Sequence, residues 1–206
     1  MQKKLKPSFH LINLKFHLYA PLLFFPILLT AQNNTTPFEN FSLGINYQSN
    51  INRNDFHNYW LSDGGIEGYF STPFYFGQSQ FGLTFTTFSA KSDEQPEFTS
   101  LLIYLQWGYE FNLPADFSLA FYISSGLYQM NFDDFDLEID PGLLSERELS
   151  MGLNTTMRYS FFNDWKLNLQ LSYLNVFTNK KIELINLSLG ISKTFSSPQW
   201  LKDFFN

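Results

Sequence analysis

The stretch Leu101-Leu102-Ile103-Tyr104-Leu105-Gln106-Trp107-Gly108-Tyr109-Glu110-Phe111 alternates along its whole length. Successive side chains of an extended strand point to opposite faces. One face here collects Leu101, Ile103, Leu105, Trp107, Tyr109 and Phe111, all apolar or aromatic. The other collects Leu102, Tyr104, Gln106, Gly108 and Glu110, which apart from Leu102 are small, polar or phenolic. A helix would need apolar residues every three to four positions, so the period of two excludes one.

Working outward, the same alternation recurs over 149–161 and 166–173. There Leu149, Met151, Leu153, Leu167, Leu169 and Leu171 face one way, while Ser150, Gly152, Asn154, Arg158, Asn168 and Gln170 face the other. Segment 185–195 repeats it with Ile185, Leu187, Leu189 and Ile191 against Asn186, Ser188, Gly190 and Ser192. Looser versions occupy 41–48, 66–70, 81–86 and 117–124. The reading is therefore all-β with eight strands. A soluble sandwich would turn its polar face to water and load it with charge. Here that face carries Ser, Gly, Asn, Thr and Tyr with few charges, which suits a narrow, crowded barrel interior.

Composition points the same way. Phe 25, Tyr 11 and Trp 4 make up 19% of the 206 residues, while charged residues make up 16%. No soluble domain of this size can bury forty rings, and rings left exposed to water would drive aggregation. The mean hydropathy of −0.16 is too low for a helical membrane protein. Many aromatics, mild hydropathy and few charges are the signature of an antiparallel, up-and-down transmembrane β-barrel. With no cysteine there is no disulfide framework and no thiolate nucleophile.

Connection lengths give the expected orientation. Short turns are expected through Ser71-Thr72-Pro73-Phe74 and the next few residues, through Asn112-Leu113-Pro114-Ala115-Asp116, and through Phe162-Asn163-Asp164-Trp165. The alternate connections, 52–63, 91–99 and 131–148, are longer and more polar, with 178–181 a short exception. Short periplasmic turns opposite longer outer loops are the outer-membrane pattern, which places both ends of the barrel in the periplasm.

The N-terminus reads as a targeting segment. Lys3, Lys4, Lys6 and Lys15 precede or flank an apolar run over 18–29, and Thr30-Ala31-Gln32 ends it. A basic start, a short apolar core and a small-residue exit describe a secretory signal peptide. The expected organisation is a signal peptide over 1–31, a barrel over 32–195 and an amphipathic periplasmic tail over 196–206. Loss of those four lysines from the thirteen basic residues leaves nine against nineteen acidic ones, a mature net charge of −10. Such a chain does not bind nucleic acid through phosphates. The 175 residues beyond Ala31 cannot supply sixteen strands of roughly 11 residues each plus turns, so a general porin is excluded.

The signal exit Thr30-Ala31-Gln32, the eight alternating strands and the closing strand Leu187-Ser188-Leu189-Gly190-Ile191-Ser192-Lys193-Thr194-Phe195 resemble the small Gram-negative outer-membrane β-barrel proteins, the OmpA/OmpX-like and PorT-like group. The likeness covers residues 33–195. It implies outer-membrane lipid as the surroundings and the barrel-assembly machinery as the partner during insertion. Leu189, Ile191 and Phe195 would belong to the assembly signal, although eleven residues follow Phe195 where many relatives end at the aromatic. The resemblance carries no catalytic motif and implies no cofactor.

Four features bear on chemistry. Glu67, Glu110 and Arg158 are charged at inward positions, and a charge inside a narrow barrel must be paired, so a buried salt-bridged cluster is expected. Asp134, Asp136, Glu138 and Asp140 alternate along one face of an outer loop, a row that could hold Ca²⁺ or Mg²⁺ but does not fit an EF-hand. His57 lies in the first outer loop, with Ser62 and Asp63 nearby in sequence. Some eight-stranded barrels of this size are lipid A acylation or deacylation enzymes that use such groups, so a lipid-modifying enzyme is one alternative reading and a narrow channel is another. Trp107, Trp165 and Trp200 are expected as interface anchors, Trp200 within an amphipathic turn that opens at Ser197-Pro198. The main reading is a barrel with a side-chain-filled lumen and a structural or interaction role, exerted through its acidic outer loops or through an envelope partner.

Overall fold

The computed structural model describes residues 37–92, 95–133, 144–178, 182–200 and 202. Eight antiparallel strands form an up-and-down sheet that closes on itself. They are β1 (Asn40–Asn50), β2 (Trp60–Phe74), β3 (Gly77–Ala90), β4 (Phe98–Asn112), β5 (Phe117–Phe132), β6 (Ser145–Phe162), β7 (Trp165–Val176) and β8 (Ile182–Ser196). Closure runs through β1 and β8, in register from Asn40 opposite Ser196 to Asn50 opposite Asn186. The expected signal peptide, the row from Asp134 to Asp140, and Leu201 with Asp203–Asn206 lie outside the described residues.

One end of the barrel carries tight turns. Asn163-Asp164 joins β6 to β7 with φ of 37° and 67°, the two positive values that a two-residue hairpin turn needs to match strand twist. Asn and Asp tolerate that left-handed conformation better than other side chains. Ala115 and Asp116 turn the β4–β5 connection with φ of 60° and 61°. The β2–β3 turn is tighter than the sequence suggested: Ser71-Thr72-Pro73-Phe74 belongs to β2, and only Tyr75-Phe76 connects the strands. The opposite, loop end begins with a single 3-10 turn, Asp55–Asn58.

Strands also run further toward the loop end than the sequence reading placed them. Leu61, Ser62 and Asp63 belong to β2, and Glu146, Arg147 and Glu148 to β6. The reason is a change of phase. From Phe117 to Leu127 on β5 the outward positions are Phe, Leu or Ile, with only Ser125 between them. Those eleven residues at the usual tilt span about 25 Å, the height of a lipid-facing band. Beyond it the outward positions are Gln129 and Asn131 on β5, with Arg147 and Ser145 opposite them on β6. Arg147 Nε donates to Gln129 Oε1 at 2.9 Å, and Gln129 Nε2 donates to Asn131 Oδ1 at 2.8 Å.

The lumen inverts in step. Within the band its inward positions are mostly polar, small or phenolic, whereas beyond it Phe88, Phe98, Tyr128, Met130, Leu174, Val176, Ile182 and Leu184 pack into an apolar cap. Phe56 of the 3-10 turn enters this cap, its ring 5.5 Å from Phe88 and 6.2 Å from Phe98. Glycine makes the lower lumen possible: the Tyr69 ring lies over Gly44 and the Tyr104 ring over Gly82, so a Cβ at either glycine would strike the ring. Gly64 adopts φ of 107° at the bulge in β2, a conformation that suits glycine alone.

Candidate functional site in the barrel lumen

Inward and outward faces separate cleanly. Leu105 is 61% exposed and its neighbour Gln106 1%. Ile103, Leu153, Leu169 and Leu189 are likewise exposed, while Tyr104, Gln170 and Ser188 are buried. Among the described residues, two groups of charge lie inside.

The first group sits toward the turn end. Arg158 donates through Nη1 to Glu110 Oε2 at 2.7 Å and through Nη2 to the Tyr122 hydroxyl at 3.0 Å. Tyr122 in turn donates to Gln78 Oε1 at 2.6 Å, and Ser118 donates to Glu110 Oε1. The guanidinium also lies 5.7 Å from the centre of the Tyr122 ring. Ion pair, hydroxyls and amide thus share a single connected network, which is what a buried charge requires.

The second group centres on Glu67, 3% exposed and apart from Arg158. Its carboxylate accepts from Asn46 Nδ2, from the Tyr104 hydroxyl and, at 3.5 Å, from Gln170 Nε2. Gln80 Nε2 donates to Tyr104 at 3.0 Å behind it. Among the described residues no cationic side chain reaches Glu67 within ion-pair distance. Of the three charged candidates, the structure therefore joins Glu110 and Arg158 and leaves Glu67 in hydrogen bonds alone. A cavity of about 40 Å³ lies against Glu67, with Phe88, Tyr128, Leu174 and Leu184 of the cap on its far side.

His57 is at the loop end, 2% exposed beside Phe56. Its Nδ1 lies 2.8 Å from Asn54 Oδ1, its backbone carbonyl accepts from Lys91 Nζ, and its Nε2 is buried without a hydrogen-bond partner among the described residues. Burial, and then the positive charges of Arg53 and Lys91, hold its pKa below the usual histidine value. Asp63 accepts from Ser89 at 2.6 Å, and Ser62 Oγ accepts from the Gly64 amide at 3.2 Å. The structure does not bring His57, Ser62 and Asp63 into a common hydrogen-bonded array.

The expected anchors lie on the turn-end rim. Trp107 packs edge-on against Tyr109 at 5.1 Å and Phe76 at 5.2 Å. Lys193 Nζ sits 5.4 Å from the Trp165 ring and 5.3 Å from that of Phe195. Leu189 and Ile191 face outward on β8, and Phe195 stacks on Phe41 at 5.3 Å, so the closing strand carries its aromatic across the barrel seam. Trp200 is 70% exposed, and the Lys202 amide bonds to the Pro198 carbonyl at 3.4 Å.

The residue set that the sequence reading missed is the apolar cap. Its signal was present: at Tyr173-Leu174-Asn175-Val176 the apolar positions change face, and Leu127-Tyr128 does the same on β5.

Comparison with solved structures identifies the architecture. Neisserial surface protein A is similar at 13% identity, with a TM-score of 0.50 over 76% of this chain and 97% of that one. Ail, the attachment invasion locus protein of Yersinia pestis, crystallised with the heparin analogue sucrose octasulfate, is similar at 13% identity, with a TM-score of 0.51 over 78% and 100%. Outer membrane protein H of P. aeruginosa is similar at 12% identity, with a TM-score of 0.51 over 76% and 99%. No protein-family model matches the sequence, and no curated protein matches it. The fold is that of the small eight-stranded outer-membrane β-barrels.

Proposed function

We propose that the chain is a non-conducting barrel of the Gram-negative outer membrane, exported with loss of residues 1–31, with both mature termini in the periplasm. It acts through its loop-end surface, as a structural or interaction protein toward another envelope component, and not by catalysis. The observation that supports this is the double blockage of the lumen. The Glu110–Arg158–Tyr122 network fills the turn-end part, and the apolar cap with Phe56 closes the loop end. Eight strands leave an interior that side chains alone can fill. What remains available for interaction is the outside: lipid around the band, and loops made acidic by Asp93, Glu94 and Glu97 and by the row containing Asp134, Asp136, Glu138 and Asp140. Those loops suit a partner with a positively charged face.

Planar-bilayer recording of the purified barrel tests the reading. No stable step of porin size is expected. Large, long-lived steps from the monomer would overturn it in favour of a channel. Fractionation of the full-length protein in a Gram-negative host tests location, and recovery with inner-membrane rather than outer-membrane markers would overturn that part.

A further inference from the structure

The cavity beside Glu67 sets a buried carboxylate against a wall in which no described side chain is cationic. A carboxylate removed from water costs several kcal/mol unless something offsets its charge. Arg158 is committed to Glu110 at 2.7 Å, and none of the described residues lining the cavity is Lys, Arg or His. The lining is rich in oxygen. Gln48 donates an amide hydrogen to Thr86 Oγ1 at 2.8 Å and Asn154 donates one to Gln106 Oε1, and each of the two amides also carries a carbonyl oxygen that can serve as a ligand. Thr84 and Ser124 add hydroxyls. Tyr128, 3% exposed, lines the cavity from the cap side, and its hydroxyl has no hydrogen-bond partner among the described residues.

We propose that this cavity binds one monovalent cation of sodium size, held by the Glu67 carboxylate together with amide, hydroxyl and phenol oxygens of the lumen wall. Hard cations take oxygen ligands, and a divalent ion in an all-protein site commonly takes more than one carboxylate. Glu67 is the single carboxylate among the described residues of the lining, so the charge balances with one positive charge. About 40 Å³ has room for one ion with little accompanying water. The ion neutralises Glu67 where Arg158 does not, so the two charged groups of the lumen are balanced independently.

Thermal unfolding of the purified barrel in detergent micelles tests this, at one ionic strength in sodium, potassium or choline chloride, read by loss of strand circular dichroism. Sodium is expected to raise the midpoint by about 5 °C over choline, saturably. Glu67→Gln should remove most of that gap, whereas Asp63→Asn, on the outer face, should leave it intact. Tyr128→Phe and Thr84→Val keep the charge and delete an oxygen, and each should shift the sodium titration to about tenfold higher concentration. Equal midpoints in sodium and choline would mean that water alone fills the cavity and would overturn the proposal. So would a gap that survives Glu67→Gln, or a larger gap in potassium than in sodium. If Glu67→Gln fails to fold, unshifted titrations in both Tyr128→Phe and Thr84→Val overturn it instead.

Discussion

The two halves of this lumen solve opposite problems with one strand pattern. Inside the lipid band the wall spends its apolar residues outward, and the interior is left to Glu67, Tyr104, Gln106, Glu110, Tyr122 and Arg158 joined by hydrogen bonds. Past Leu127 and Leu149 the same strands turn Gln129, Asn131, Ser145 and Arg147 outward and bury Phe88, Phe98, Met130, Leu174 and Val176 within. The medium around the wall decides the content of the core. Hydrocarbon outside makes apolar burial inside worthless, because no apolar surface leaves water, whereas water outside restores the hydrophobic effect. The chain is thus a membrane barrel for most of its height and a small soluble barrel at the loop end.

Breaking the polar half should have the largest effect. Arg158→Met leaves Glu110 buried without its partner and should cost about 3–5 kcal/mol in reversible urea unfolding from lipid vesicles. Replacing both partners together with apolar residues of similar volume should recover most of that loss, because the penalty belongs to the orphaned charge. If the double variant is as unstable as Arg158→Met, the network serves by shape and not by charge balance.

The apolar half should respond to cavity formation instead. Leu174→Ala should cost about 2–4 kcal/mol. Leu171→Ala, three residues away and facing lipid, should cost clearly less, since no packed cavity is left. The measurement that sharpens the contrast is amide hydrogen exchange. Leu174→Ala should speed exchange in the loop-end segments of β5, β7 and β8 while the turn-end segments stay protected. Uniform loss of protection would mean that the two halves unfold as one unit and that the division is only compositional.

Much of this was legible in the sequence, for a physical reason. A lipid-facing strand must keep an unbroken apolar face, so the period of two is strictest inside the band, and Ile103, Leu105, Leu153 and Leu169 declared their side unambiguously. The inward charges declared themselves by contrast. The cap was harder to read because its strand segments are short and switch phase. Leu174 next to Tyr173 gives apolar residues on both faces at the crossing point, and that looks like the end of a strand. Which acid Arg158 would take was also beyond reach: the pairing depends on register across β5, where Ser118 and Ala120 are small enough to let the β4 and β6 side chains meet. The arrangement of Phe56 and His57 over the cap depends on a loop conformation that periodicity does not describe.

The smallest effect, and the one confined to the junction of cap and loop, concerns His57. Its Nδ1 meets both Asn54 Oδ1 at 2.8 Å and the Asn54 amide at 3.3 Å, and its Nε2 is buried with no partner among the described residues, so a second proton enters a ring closed off from water. Burial, Arg53 and Lys91 all disfavour that proton, and the folded-state pKa lies below the ordinary 6.5. The sign follows from linkage: below about pH 6.5 the opened loop binds a proton that the closed one refuses. Stability from this contact is therefore complete above the ordinary value and is lost as pH falls through 6.5 toward the folded pKa. The expected outcome is local. Protease cleavage near 53–58 should accelerate between pH 7 and pH 5.5 once corrected for the protease's own pH dependence, with strand circular dichroism unchanged. His57→Gln, which cannot take the proton, should flatten that dependence. A pH response that persists in His57→Gln would assign the opening to the loop carboxylates, with Asp55 the nearest of them in sequence.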